Sequence, residues 1–488
     1  LIRLSSLTLA AALFATSALA QAPLKESATD AYYKAGEAAL AKALATAPNT
    51  GRAKNVILFL GDGMGISTVT ASRIYEGQAR GVDGESNSLS FEKLPWTALS
   101  KTYSHDTQVT DSAAGITAIT TGVKTRNKVI GLTGATVPEQ CATEKGASVQ
   151  TIAEIAKANG LSTGAVTTTR ITHATPAGVY AHTAYRDWEG DTDMPVEALQ
   201  AGCKDIASQM LDAGKLRLDV AMGGGRSRFL PEAAGGKRGD GRDLTAEWRK
   251  TPGAAYVTTA DQLKALDPAK TGPVLGLFAN EHLPYEVERG ILGEGVPTLS
   301  DMATKAVDLL AKNPKGYFLL VEGGKIDMGS HLNNAKRTLT EAVEFSKAIQ
   351  AVLDKVDLKD TLVIVTADHS HGLVISGYAA RNAPILGLAG NEGEPILAGD
   401  GKAYTVLSFA TGPGGTEGLN LRADPAKEDM DDVDYHQQAL ANLPSAAHSG
   451  EDVGVFADGP GAYLVHGVVE ESYIFQVMRH AFGFDAKK

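Results

Sequence analysis

NVILFLGDGMG, Asn55 to Gly65, is an apolar run closed by a glycine turn, and the residues that follow, ISTVTASRIYEG, suit a helix. Strand, turn and helix in that order open an α/β fold. In a dinucleotide-binding turn the glycines let backbone N–H groups approach a pyrophosphate, which a carboxylate in the turn would repel. Here the turn carries Asp62, and its glycines are spaced G-x-G-x-G rather than G-x-G-x-x-G. An acid at the C-terminal end of a buried strand suits a different role, in which it holds a metal ion and the ion holds a phosphate.

Outward from this stretch the alternation continues. Strand-like segments fall at 55–60, 164–169, 218–222, 316–321 and 361–367, with a closing strand and helix in GVFADGPGAYLVHGVVEESYIFQVMRHAF. Helix-like segments fall at about 65–77, from Ser112 onward, and at 149–159, 204–213, 299–312 and 334–355. Strands rich in Val, Ile and Leu, each reached through a helix, predict an α/β fold with a mainly parallel central sheet and helices on both faces. In such folds ligands gather at the carboxyl ends of the strands. Between about 375 and 445 the pattern lapses into Gly, Pro and acids, as in GLAGNEGEPILAGDG and ADPAKEDMDDVD. That composition predicts an irregular surface insertion with too little apolar material for a core of its own.

At 488 residues and 43% hydrophobic content the chain can bury a large core, as one α/β domain with insertions or as two domains. Its net charge of −11 argues against a polyanion partner, so nucleic acid is not expected. The first twenty residues, LIRLSSLTLAAALFATSALA, join one base, an apolar centre and a small-residue ending. They predict a secretory signal peptide (1–20) cleaved after Ala20 and a periplasmic or secreted product; a frayed N-terminal helix is the alternative. No later run approaches the ~18 apolar residues of a membrane span, so no membrane partner is expected. The two cysteines, Cys141 and Cys203, lie in no C-x-x-C pattern. An even count in an exported chain favours one disulfide, against the alternative of two buried thiols.

The strand ends repeatedly carry groups able to bind metal. Segment 55–60 delivers Asp62; 316–321 delivers Glu322 and then GGKIDMGSH with Asp327 and His331; 361–367 delivers Asp368, His369 and His371. Asp327 and His331, four apart, share one face of a helical turn. A single acid at a strand end is usually a cap or a solvated loop residue, but three such strands converging on one rim point to a metal site. Mixed His and Asp ligands fit Zn²⁺, and an all-oxygen set fits Mg²⁺. Ser112, in QVTDSAAGITAITTGVKT, is a candidate nucleophile at a helix start, where a plain Asp-Ser cap is an equally good reading. No G-x-S-x-G elbow surrounds it, which disfavours a serine hydrolase of that kind.

GDGMG, TDSAAGITAITTG, THATPAG, VEGGKIDMGSH, TADHSHG and HSGEDV, in this order, resemble alkaline phosphatase from about residue 50 to the C-terminus. The resemblance implies one catalytic domain over residues 21–488, hydrolysis of small phosphate monoesters, two Zn²⁺ and one Mg²⁺ per subunit, and a homodimer capped by the insertion near 375–445. Ser112 would be the phosphorylated nucleophile, and Arg186, in AHTAYRDWEG, the clamp on two phosphate oxygens. One zinc would be held by Asp327, His331 and His448, and the second by Asp62, Asp368 and His369 with Ser112. The magnesium would fall to Asp62, Thr175 and Glu322, and His371 resembles a ligand-orienting histidine. Two departures stand out. His173 and Met328 occupy positions where some bacterial members have Asp and Lys, and Ala279 and Val296 replace acids that hold a structural calcium in vertebrate-type members, so no calcium is expected.

The alternative enzyme is a phosphodiesterase or sulfatase of the same metal-hydrolase superfamily, with Thr110 as the nearby substitute nucleophile. The alternative outside catalysis is a phosphate-binding protein, for which Arg186 and a helix end suffice and six or more metal ligands serve no purpose.

Overall fold

The structure is a computed structural model that describes residues 29–212, 217–391, 394–416, 418 and 421–484. The expected signal peptide lies outside them. Two compact units are present. The first holds the helix Ala31–Ala45, whose N-cap Asp30 accepts a hydrogen bond from the Tyr33 N–H. The second runs from Pro48 onward.

In that second unit the strands, in chain order, are β1 (Asn55–Gly61), β2 (Trp96–Lys101), β3 (Ser162–Arg170), β4 (Val220–Gly224), β5 (Ala255–Val257), β6 (Val274–Leu277), β7 (Tyr317–Gly323) and β8 (Thr361–Thr366). They continue as β9 (Leu373–Ile375), β10 (Gly390–Asn391), β11 (Glu394–Pro395), β12 (Leu407–Gly412), β13 (Ala439–Asn442), β14 (Val453–Asp458) and β15 (Gly467–Glu470). One ten-stranded sheet has the order β15-β2-β14-β8-β1-β7-β3-β4-β6-β5. Every pairing in it is parallel except those of β14 with β2 and β8.

The apolar run of β1 is explained by its central place. Val56, Leu58 and Leu60 enter one core, and Ile57 and Phe59 enter the other on the opposite face, all fully buried. The first core is closed by the helices Ser112–Thr121, Ile152–Ala158 and Tyr473–Phe482, the second by Leu299–Leu310 and Ala335–Leu353. Parallel strands need such crossovers, and the helices cover both faces as the sequence predicts.

Several expected elements differ in extent. The segment 204–213 is helical only over Ile206–Gln209 among the described residues, and β2, β5 and β6 were not foreseen. β2 reads WTALSK and alternates between buried and exposed positions, which hides it from a search for apolar runs. β5 spans three residues, too short for any periodicity. Residues 375–445 are more regular than their composition suggests: β9, β12 and β13 form a small sheet, and β10 pairs with β11. Leu373, Ile385, Leu386, Val406, Leu407 and Phe409 pack there with Ala71 and Ile74, and with Ala335 and Leu339 of the long helix. The segment thus borrows its core from helices of the main body. Cys141 and Cys203 are bridged, as expected.

Phe345 stands at the centre of the second core, fully buried, with ring centroids 6.1 Å from Phe59 and 6.4 Å from Phe91. Its truncation empties a space that the sheet cannot collapse into. Phe345→Ala should cost about 3–5 kcal/mol of stability, read from the shift of the denaturant midpoint at unchanged slope.

Candidate active site

Four adjacent strands, β8, β1, β7 and β3, bring the chemistry to one rim. Asp62 follows β1, Asp368 follows β8, and Glu322 lies within β7, in register with Leu60 on one side and Thr167 of β3 on the other. Gly63 explains the turn: its φ is +66°, and a Cβ there would lie 2.6 Å from the His371 ring. Gly63 and Gly65 of GDGMG therefore admit His371 and Ser370 from the loop after β8, and Gly61 makes room for Met64.

The structure gathers the ligand candidates into three groups, in each of which the donor atoms lie within 4.8 Å of one another. Asp327, His331, His371 and His448 form the first. Asp327 and His331 project from the short helix Lys325–His331 with 3.4 Å between carboxylate and imidazole, and His448 Nε2 is 3.3 Å from His331 Nε2. Asp62, Asp368 and His369 form the second, and Asp62, Glu322 and His173 the third. Thr175 Oγ1 donates to Asp62 Oδ2 at 3.4 Å. Asp62 is thus shared between two groups. All the ligand candidates named from the sequence converge. His371, named at a strand end and expected to orient ligands, joins the first donor set directly, and His173 joins the third.

The acids of these groups lie out of water, while His331 and His448 are half-buried. Asp62, Glu322 and Asp368 are fully buried. Burial first, then the charges of Asp327 and Glu322, hold Asp62 well above the ordinary carboxylate range. Burial and Asp368 push Glu322 up to about 7, against the pull of a hydrogen bond from Thr167. Burial and Asp62 push Asp368 up to about 8. Glu322 Oε1 and Asp368 Oδ2 are buried without a hydrogen-bond partner. Carboxylates crowded in this way ionise together only beside added positive charge, and the orphaned oxygens are acceptors that a cation would satisfy. The donor sets fit metal ions.

Ser112 is the first residue of the helix Ser112–Thr121, and Asp111 is its cap, accepting from the Ala114 N–H at 3.1 Å. The capping role falls to Asp111, which leaves the Ser112 hydroxyl to the site. Ser112 Oγ lies 3.2 Å from His369 Nε2 and 3.4 Å from Asp62 Oδ1. Arg186 faces it. Its Nη1 donates to Asp111 Oδ2 at 3.0 Å and its Nη2 lies 3.2 Å from His173 Nε2. Burial opposes the charge on Arg186, but Asp111 holds the guanidinium protonated. Burial, then the charges of Arg186 and Arg170, keep His173 neutral. Ser112, Arg186, His173, Asp327, Met328, His331 and His448 line a common cavity of about 340 Å³. The link from Asp111 to Arg186 was not foreseen, because the two lie 75 residues apart.

A family model described as alkaline phosphatase matches residues 53–484. The chain belongs to the alkaline phosphatase family. The tissue-nonspecific alkaline phosphatase isozyme of Rattus norvegicus is 44% identical over 449 residues, which cover 89% of this chain and 84% of that protein. The alkaline phosphatase of Gadus morhua is 44% identical over 447 residues, covering 89% and 92%. Among solved structures, alkaline phosphatase from the Antarctic bacterium TAB5 is similar with a TM-score of 0.63 at 26% identity, covering 89% of this chain and all of that one. A histidine-to-aspartate variant of that protein, with a TM-score of 0.63 at 27% identity over 90% of this chain and 100% of that one, has Mg bound in its M3 site. Members of the family are phosphoric monoester hydrolases, and this chain is an enzyme of that class.

In protein stripped of metal, Glu322 and Asp368 keep protons in the folded state that the unfolded chain releases. Their folded pKa values are raised, so the resulting stability is complete below the ordinary carboxylate range and is lost as pH rises through about 7 and about 8. The thermal midpoint in chelator should fall across that window, and divalent metal should flatten the fall. A midpoint in chelator that stays level would contradict the crowding of these carboxylates.

Proposed function

We propose that this enzyme splits phosphate monoesters into alcohol and inorganic phosphate through a phosphoserine on Ser112, served by two zinc ions and one magnesium. The observation that carries the reading is the placement of Ser112 Oγ against His369 and Asp62, with Arg186 across the same cavity. Asp327, His331 and His448 would hold one zinc, Asp62, Asp368 and His369 the second, and Asp62, Thr175 and Glu322 the magnesium. Bound there, such ions withdraw charge from phosphoryl and alcohol oxygens and ease the loss of a proton from a nearby hydroxyl.

Ser112 Oγ attacks phosphorus in line. The Oγ–P bond forms, the ester P–O bond breaks, and the electron pair leaves with the alcohol oxygen. Arg186, oriented by Asp111, offers N–H donors to the equatorial oxygens. Water then attacks the phosphoserine, and the Oγ–P bond breaks to restore Ser112. Because binding falls on the phosphoryl group, the alcohol is weakly discriminated. The same proposal takes the protein to be exported and homodimeric. Exposed Tyr378, Leu397 and Leu440 on the 375–445 segment support the dimer. Among the described residues no helix is long and apolar enough to cross a membrane.

Ser112→Ala should lower turnover by ~10³-fold or more and abolish the acid-stable phosphoenzyme, with full activity refuting the assignment. Comparison of p-nitrophenyl phosphate, the bis-ester and the sulfate ester separates the monoesterase from the diesterase and sulfatase alternatives. His173 adds a nitrogen to the third group, which suits zinc or cobalt better than magnesium. Met328, lining the cavity, has no ammonium to give to bound phosphate, so product inhibition should be mild. His173→Asp should reduce the Mg²⁺ needed for half-maximal activation of zinc-loaded enzyme. An unchanged requirement removes His173 from that role.

A further inference from the structure

Lys128 lines the mouth of the active-site cavity, exposed, and its backbone has a φ of +72°. A residue other than glycine in this left-handed region costs of order 1 kcal/mol or more and persists only where its surroundings determine it. Here they do. The Lys128 N–H donates to Asp111 Oδ2 at 3.0 Å, and the Lys128 carbonyl accepts from the Arg186 N–H at 2.8 Å. The backbone of Lys128 therefore joins the cap of the Ser112 helix to the backbone of Arg186. Nothing in that backbone role calls for a lysine side chain, and glycine would adopt the same conformation without strain.

The side chain extends over the Tyr185 ring, with Nζ 5.4 Å from its centroid. Among the described residues that ammonium has no hydrogen-bond or ion-pair partner. Of the other charges at the mouth, Asp111 is paired with Arg186, and the exposed carboxylate of Asp187 also lines the cavity. The phosphoryl group belongs deeper, between Ser112 and Arg186, so a cation on the rim faces the part of the substrate that leaves.

We propose that Lys128 gives this enzyme a preference for phosphate monoesters whose alcohol carries a second anionic group. The proposal rests on the phosphomonoesterase reading above. The contact is an exposed charge pair, so its effect on kcat/KM is modest, roughly two- to five-fold at low ionic strength, and shrinks as salt screens it.

The test compares phenyl phosphate with 4-carboxyphenyl phosphate in the metal-loaded full chain, reading the ratio of their kcat/KM values in each protein. In Lys128→Gln the ratio should move against the carboxylated ester by that factor, Lys128→Arg should restore it, and high salt should bring parent and Lys128→Gln together. Lys128→Gly, which relieves the backbone strain, serves as a second neutral variant should Gln disturb the turn. A ratio equal in the parent and both neutral variants at low salt overturns the proposal while leaving the monoesterase reading intact. A parent that hydrolyses neither ester removes that reading and the proposal together.

Discussion

Asp62, Glu322, Asp327 and Asp368 stand together out of water at the ends of neighbouring strands, and the rest of the site answers to that crowding. Like charges in a medium of low polarity repel strongly, and burial alone disfavours each ionised form. Asp327 has three imidazoles around it. Asp62, Glu322 and Asp368 have hydrogen-bond donors such as Thr167, Thr175 and the Gly63 N–H, but too little positive charge among the side chains. A fold that stabilises such a cluster keeps a standing demand for cations, and that demand is what the site offers to a phosphate.

The scaffold meets the demand by rigidity. Each acid is anchored in or close to a fully buried strand, so none is able to swing into solvent to escape its neighbours. Asp111 extends the same logic to the uncharged Ser112. One carboxylate oxygen caps the Ser112 helix, and the other receives both the Arg186 guanidinium and the Lys128 N–H. Ser112, Arg186 and Lys128 are therefore referenced to a single side chain, and the distance between Ser112 and Arg186 is set through Asp111.

Much of this was legible from residues alone where the signal is local. The apolar run before Asp62, the i, i+4 pair Asp327 and His331, and the recurrence of acids at strand ends all follow from short-range periodicity. Signals that depend on partners distant in the chain were not legible. β2 and β5 lack an apolar run of their own, and the order within residues 375–445 comes from helices elsewhere that lend them a core. The pairing of Asp111 with Arg186 is of the same kind.

By itself, the sequence determined the α/β alternation, the acid-bearing strand ends, the family resemblance and a set of candidate residues for the chemistry. These are written in spacing and residue type, which act over a few residues. Only the tertiary structure decided how that set is divided into three donor groups, two of which share Asp62, that His173 faces both the third group and Arg186, and that Lys128 is held in a left-handed turn at the rim. Those outcomes depend on which strands lie side by side and on what a buried charge meets there, and no local pattern along the chain encodes either.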